Sequence, residues 1–291
     1  MPPEYLTTKE LAELLRIKER KVYDLAASGE IPCSKAMGKL LFPRHAINAW
    51  LGENASGYRP EVEITRPNIF LGSHDPLLNW ALREALINIA TIFDSSLDGL
   101  DRFTRAEGIA TGLHIYSAPH DNWNIDHIED DFQGRDVVLI EWAKRARGLL
   151  LPPGKSATIR SISDLKGLKL APRQKTAGSQ ILFKILLEQA GLKEGDIQYA
   201  PTCRTETDAA LAVNEGTADA AFGLEAQASH FGLDFLPLIV ERFDLLIDRH
   251  AYFEPPIQSL LEFCKSKEFS AKAANMRGYD VSGLGCVHFN G

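Results

Sequence analysis

The chain changes character between residues 52 and 67. That stretch mixes Gly, Asn, Ser, Pro and charged side chains without sustained hydrophobic periodicity, the mark of a connector rather than of an element. Before it, apolar residues recur at helical spacing in two short segments. After it, short apolar runs alternate with amphipathic stretches. With 291 residues, 45% hydrophobic and 24% charged, the chain can bury more than one core. The expected layout is a small domain over residues 1–52, a linker over 53–67 and a larger domain over 68–291.

Charge divides at the same place. Residues 1–52 hold eight Lys or Arg and six Asp or Glu, net +2, and the other 24 basic and 33 acidic residues give −9, which together make −7. Any contact with nucleic acid is therefore confined to the N-terminal segment. No run approaches the ~18 apolar residues of a membrane span, and Met1-Pro2-Pro3-Glu4 opens no leader pattern. A cytoplasmic protein without membrane contact is expected. Cys33, Cys203, Cys264 and Cys286 are widely separated and form no CxxC pair, so they read as reduced thiols.

Thr7-Thr8-Lys9-Glu10 fits a capping box, and Leu11, Leu14 and Leu15 follow at helical spacing, which predicts a helix to about Arg16. A second periodic stretch places Val22, Leu25 and Ala26 on one face and ends at Ser28-Gly29, where Gly suits a left-handed cap. Two short helices joined by a few residues make a helix-turn-helix. On the second, Arg20, Asp24 and Ala27 lie opposite the apolar face, with Lys21 and Tyr23 on its flanks. Cys33 to Phe42 reads as two short strands around Met37-Gly38-Lys39, a basic wing carrying Lys35 and Lys39, before a last helix from His45 to Leu51. Arg20 and Tyr23 are the candidates for base edges; Lys18, Lys21, Lys35 and Lys39 are the candidates for phosphates of double-stranded DNA.

LTTKELAELLRIKERKVYDLAASGEIPCSKAMGKLLFPRHAINAWL resembles the excisionase and MerR-type winged helix-turn-helix along its whole length. It departs at Lys18, where that family often has Ser or Thr to cap the recognition helix. The alternative is a small helical head that docks a protein partner.

In the larger domain, Ile69-Phe70-Leu71, a helix through Trp80 to Ile92, Ile109 to Ile115 and Val137 to Trp142 form one alternating unit. Gly167 to Ala171 as a strand, a helix from Ser179 to Ala190, a helix from Thr205 to Glu215 and a strand from Ala218 to Phe222 form a second. A return segment, Phe235 to Ile247, and a helix at Pro256 to Cys264 follow. The pattern predicts α/β structure with two lobes, about 68–148 with 236–291 and about 149–235, and a ligand cleft between them.

GSHDPLL, ATGLH, RGLLLPPG, ISDLKG, RQKTAGSQ, DAALAVNEGTADAAFGLEA, LDFLPLIVERFDLLI and GYDVSGLG, spread from residue 72 to 285, resemble the substrate-binding domain related to periplasmic binding proteins. The resemblance implies a two-lobed domain of the type II periplasmic-binding-protein kind that closes on a small ligand. Because relatives of this domain are linked with molybdenum biology, it implies molybdate or tungstate. Such oxyanions are held by hydroxyls and by backbone amides at helix starts. Ser73, Ser96, Thr176, Ser179 and Thr205 fall at predicted strand-to-helix junctions, and the resemblance adds His74, His114, Arg173 and Glu225 near the cleft. Where the family often reads Arg-Gln and then Gly-Ser-Gly-Thr, this chain has Arg173-Gln174-Lys175-Thr176-Ala177-Gly178-Ser179. Glu225 opposes a dianion and favours an organic or amine-bearing ligand.

Ser73-His74-Asp75 holds the three side chains of a hydrolase triad, but consecutive residues diverge and cannot align; Ser73 is expected to cap the next helix. His114 to Asp131 is rich in metal ligands without the spacing of a known zinc site, and reads as a solvated loop. Trp50, Trp80, Trp123 and Trp142 read as core, and Lys144, Arg145 and Arg147 as a solvated cluster. No catalytic residue, metal site or cofactor is expected. The leading expectation is a homodimeric, ligand-sensing DNA-binding regulator; the alternative is a carrier of a small organic or molybdenum-cofactor-related molecule.

Overall fold

A computed structural model describes residues 4–36, 38–54 and 65–291. The chain divides into two compact units, Met1–Ile64 and Thr65–Gly291.

The first unit runs β1 (Tyr5–Leu6), α1 (Thr8–Leu15), α2 (Glu19–Ser28), β2 (Ser34–Ala36), β3 (Lys39–Pro43) and α3 (Arg44–Asn54). Thr7 caps α1: its hydroxyl accepts from the Glu10 amide at 3.3 Å, and Glu10 Oε2 accepts from the Thr7 amide at 2.8 Å. Gly29, at φ 72°, ends α2 in the left-handed region. The wing is an antiparallel pair with Ser34 opposite Leu41 and Ala36 opposite Lys39; Met37 lies outside the described residues. Residues Tyr5 and Leu6 add a third strand against β3, which two residues could not announce by periodicity. Leu6, Leu11, Val22, Ile31, Phe42 and Ile47 are buried together, so β1, β3, all three helices and the loop after α2 contribute to one small core.

The predicted linker is only partly a connector. Helix α3 extends to Asn54, and residues 55–64 lie outside the described residues. Arg66 is anchored on the second unit. Its guanidinium donates to Asp248 at 3.1 Å and to the carbonyls of Phe103 at 2.7 Å and Gly108 at 3.1 Å.

The second unit opens with β4 (Ile69–Gly72), α4 (Pro76–Glu84), β5 (Ala90–Phe93), α5 (Ser96–Thr104) and β6 (Ala110–Leu113). A ribbon of β7 (Tyr116–Ser117) and β8 (Asn122–Trp123), then α6 (Ile125–Phe132), lead into β9 (Val137–Leu151). There follow β10 (Lys169–Ala171), α7 (Gly178–Gln189), β11 (Gln198–Tyr199), α8 (Glu206–Asn214), β12 (Ala220–Leu224) and α9 (Glu225–Phe231). The chain returns along β13 (Asp234–Asp248) and closes with α10 (Arg249–Tyr252), α11 (Pro255–Phe263), α12 (Lys267–Asn275), β14 (Tyr279–Asp280) and β15 (Val287–Asn290).

Ten strands form one sheet in the order β11-β10-β12-β9-β13-β6-β4-β5, with β14 and β15 also on β9. It is two parallel half-sheets joined by an antiparallel pair. Strands β9 and β13 are 15 residues each and pair from Val137–Asp248 to Leu151–Asp234. At about 3.3 Å per residue such strands are long enough to belong to both lobes. In the first lobe, apolar clusters around Trp142 and Phe243 and around Phe103 and Leu139 cover the two sheet faces. In the second, clusters around Leu182 and Phe222 and around Ala209 and Ala221 do the same. Tyr116 and Trp123 of the ribbon, a first-lobe excursion, pack on the second lobe's core.

Two further expectations need correction. The helix expected to reach Ile92 stops at Glu84; Leu86 turns to φ 50°, and Ala90–Phe93 is instead a strand beside β4. The strand expected over Val137–Trp142 continues to Leu151. Trp142 is core as expected, and all four cysteines are free. Among the described residues no helix is long and apolar enough to cross a membrane.

Gly148 faces Pro237 where the β9–β13 register shifts, and a Cβ there would lie 2.0 Å from the Leu236 carbonyl oxygen. Gly148→Ala is expected to destabilise the folded chain by about 2 kcal/mol or more, as overpacking against backbone does. Urea unfolding at pH 7 measures this directly; an unchanged midpoint would mean that the strands separate freely here.

Candidate functional site

Strands β4, β5, β6 and β10 all end in short turns that lead to polar side chains. Ser73 follows β4 and Ser96 opens α5, and their hydroxyls are 2.7 Å apart. The amide of His114, just after β6, donates to Ser96 Oγ at 3.3 Å. From the other lobe, Thr176 donates its hydroxyl to Asp98 at 2.9 Å, and the Thr176 carbonyl accepts from the Leu97 amide at 3.3 Å. Gly178 packs against the His114 carbonyl so closely that a Cβ would stand 2.3 Å from it. Next to it, Ser179 Oγ is buried with no hydrogen-bond partner among the described residues. Helix α7 begins there without a side-chain cap, so its first amides retain their pull on negative charge.

Beside these hydroxyls runs a chain of buried charges. Arg145 and Arg147, on β9, and Glu241, on β13, are wholly inaccessible to solvent. Arg145 contacts Asp75 at 2.7 Å and Glu241 at 2.5 Å. Arg147 donates to both Glu241 oxygens at 2.7 and 2.8 Å and to Glu206 at 3.1 and 3.2 Å. Arg173 reaches Glu206 from β10's end at 2.9 Å. Three guanidiniums thus meet three carboxylates.

Burial disfavours every one of these charges, so their persistence rests on the pairing. For Glu206, burial pushes the carboxyl pKa up, but Arg147 and Arg173 outweigh it and bring it down to about 2. Glu241 is likewise driven well below the carboxylate range, burial being overcome by Arg145, Arg147 and His114. The Arg145 pKa is raised, because Glu241 and Asp75 overcome burial. His114 is different: burial wins and lowers its pKa, so the ring is neutral, and Nδ1 donates to ionised Glu241 at 3.0 Å. His74, between Asp75 and Glu206 in charge terms, is also lowered by burial.

Ser73, Ser96, His114, Thr176 and Ser179 therefore converge at the lobe junction, with His74 and Arg173 alongside. Two other candidates stand apart. Thr205 caps α8, its hydroxyl accepting from the Asp208 amide at 3.0 Å. Glu225 opens α9 and lies against Gly278 beside β14. The helix after β4 is capped by Asp75 rather than by Ser73: Asp75 Oδ1 accepts from the Leu78 amide at 2.7 Å. Of the expected solvated cluster only Lys144 is exposed; Arg145 and Arg147 point inward because carboxylates from neighbouring elements await them. Glu206 and Glu241 were not among the candidates. The signal was the placing of Arg145, Arg147 and Glu241 inside otherwise apolar strands, where a lone charge does not belong. No group of three metal-ligating side chains occurs among the described residues, and His120 instead pairs with Asp126 at 2.7 Å.

In the first unit Lys18, Arg20, Lys21, Tyr23, Lys35 and Lys39 are all exposed. Lys18 is the α2 N-cap without a side-chain capping bond, which leaves its ammonium free to meet a phosphate. Lys35 and Lys39 sit on the two wing strands. A short helix with an exposed basic start beside a basic hairpin has the form that enters a major groove.

Residues 81–265 match the family model described as a PBP superfamily domain, and residues 5–55 match one described as a helix-turn-helix domain. YvgK of Bacillus subtilis (strain 168) is 24% identical over 300 residues, 97% of this chain and 96% of that protein. The regulatory domain of CcmR from Synechocystis PCC6803, solved with 2-PG, aligns with a TM-score of 0.50 at 11% identity over 72% of this chain and 98% of its own. PhnD1 of Prochlorococcus marinus (MIT 9301), solved with methylphosphonate, aligns with a TM-score of 0.50 at 12% identity over 76% and 93%. These structural likenesses establish the fold.

Glu206→Gln removes one member of the charge chain and leaves Arg147 and Arg173 short of a partner. At pH 7 the loss is expected to be about 3 kcal/mol. Because folding lowers this carboxyl from its ordinary 4.5 to about 2, its contribution is complete above pH 4.5 and disappears as pH falls toward 2. Urea unfolding across that window should therefore show the difference between the two proteins shrinking with acid; a constant difference would refute the pairing.

Proposed function

Because the chain belongs to the PBP superfamily over residues 81–265 and carries a helix-turn-helix domain over residues 5–55, we propose that it is a ligand-sensing, DNA-binding transcription regulator. It acts in the cytoplasm as a homodimer on two half-sites of double-stranded DNA. The observation that carries this reading is the pairing of two parts in one chain. One offers an exposed basic helix and wing; the other brings hydroxyls from two lobes together at strand ends.

The ligand is a small oxyanion, with molybdate and tungstate first. Ser179 and one member of the Ser73–Ser96 pair supply neutral donors, and the uncapped start of α7 supplies amides. The neighbouring arginines are already matched by carboxylates, so recognition falls to those neutral groups. Ligand changes DNA affinity through its differential affinity for open and closed lobes, a coupling of about 1 to 3 kcal/mol.

Two measurements test the two halves separately. The melting temperature of the full chain should rise with molybdate or tungstate at 100 times the dissociation constant, equivalent to ~2.7 kcal/mol, and Ser96→Ala should abolish the rise. No shift with any tetrahedral oxyanion removes this ligand class and leaves the regulator standing. DNA affinity should fall steeply with salt, and Arg20→Ala should weaken preferred sites more than random duplex. Salt-insensitive binding, or none to any duplex, would turn the head into a protein-docking element and the chain into a carrier.

A further inference from the structure

A cavity in the large unit, of about 450 Å³, shares no lining residue with the hydroxyl cluster. Both lobes build it. Trp80 of α4 and Lys272, Met276 and Arg277 at α12 come from one, and Gln227 and Ser229 of α9 from the other. In a chain of net charge −7, its lining holds Lys272 and Arg277 and no Asp or Glu. Arg277 has no ion pair or hydrogen bond among the described residues. Lys272 Nζ lies 5.5 Å from the Trp80 ring centroid, which holds the ammonium at the wall by its attraction to the ring face.

A second, independent feature points to a ligand. Gln227 is only 7% exposed, and its Oε1 is buried without a hydrogen-bond partner. Natural structures seldom leave such an acceptor unmet, because its lost hydration is not replaced. The occupant therefore needs a donor as well as an anionic end. An adjoining depression of about 470 Å³ shares Ser229 and Arg277 and brings in Glu225 and Asp234. A ligand reaching that way meets carboxylates, which favours a hydroxyl over a second acid.

We propose that this cavity is a separate small-molecule site for a hydroxylated monocarboxylic acid. Its carboxylate pairs with Lys272 and Arg277, its carbon body lies against Trp80 and Met276, and its hydroxyl donates to Gln227 Oε1. Spanning α9 and α12, the occupant bridges the lobes and biases their relative movement, which makes the site regulatory for whatever the strand-end hydroxyls bind. The binding claim itself does not depend on DNA or on the oxyanion.

The test is isothermal titration of the full chain with 4-hydroxybenzoate, benzoate, terephthalate and benzyl alcohol. The expected order places 4-hydroxybenzoate first, with benzoate weaker by about tenfold for the missing hydroxyl. Terephthalate and benzyl alcohol should be weaker still. The double variant Lys272→Ala, Arg277→Ala, altered only at exposed side chains, should lose at least about tenfold for the hydroxy acid. Gln227→Leu should bring 4-hydroxybenzoate to the level of benzoate. Absence of heat with both monocarboxylic acids overturns the proposal, as does undiminished binding by the double variant. So does loss of binding in Ser96→Ala with full binding in the double variant, which would put the acid among the hydroxyls.

Discussion

Two arginines stand two residues apart on one strand, and both are fully buried. Arg145 and Arg147 sit midway along β9, where it passes from one half-sheet to the other, and neither can remain charged in that interior without a carboxylate at hydrogen-bond distance. Asp75 comes from the turn before α4, Glu206 from the start of α8 and Glu241 from β13. Satisfying two guanidiniums therefore locks elements of both lobes to one strand. Asp75 is the most heavily used: it caps α4 and accepts from the Trp142 indole at 3.0 Å, from Arg145 at 2.7 Å and from the Tyr279 hydroxyl at 2.6 Å. The cost of an unpaired buried charge makes the junction close to all-or-none, because removing any partner strands the others.

That balance shapes what the junction can recognise. The arginines that an anion would seek are held by the chain's own acids, and His114 is neutral. Hydroxyls and helix-start amides remain at the strand ends, while Lys272 and Arg277 line a cavity elsewhere, on and just after α12. The division of labour is electrostatic: neutral donors inside the junction, where a net charge would be expensive, and Lys272 and Arg277 at the surface, where water shares the cost.

Much of the architecture was legible in the residues. The Thr7–Glu10 box, the Gly29 cap and the Val22 face marked the helix-turn-helix, because capping and amphipathicity are local and depend only on near neighbours. The second lobe's strands and helices fell close to their expected places for the same reason. Misreadings cluster where a distant partner decides. The stretch Trp80 to Ile92 carries helical spacing, yet its end is a strand because β4 offers an edge. Arg145 and Arg147 look solvated because an arginine's default environment is water, and nothing nearby in the chain announces Asp75 or Glu206. Thr205 sits at a helix start like Ser96, but its hydroxyl is consumed by its own helix.

By itself, then, the sequence determined the two-part plan, the basic helix and wing, the alternation of strands and helices, and the concentration of hydroxyls at strand ends. Each of these follows from composition, local periodicity or capping, which act over a few residues. Tertiary structure alone decided which of those hydroxyls meet, that β9 and β13 serve both lobes, that the arginines between them are matched by carboxylates, and that Lys272 and Arg277 line a separate cavity. The reason is physical: whether a buried charge or hydroxyl is tolerable depends on partners up to 204 residues away, as between Tyr279 and Asp75, and no local pattern encodes a partner at that distance.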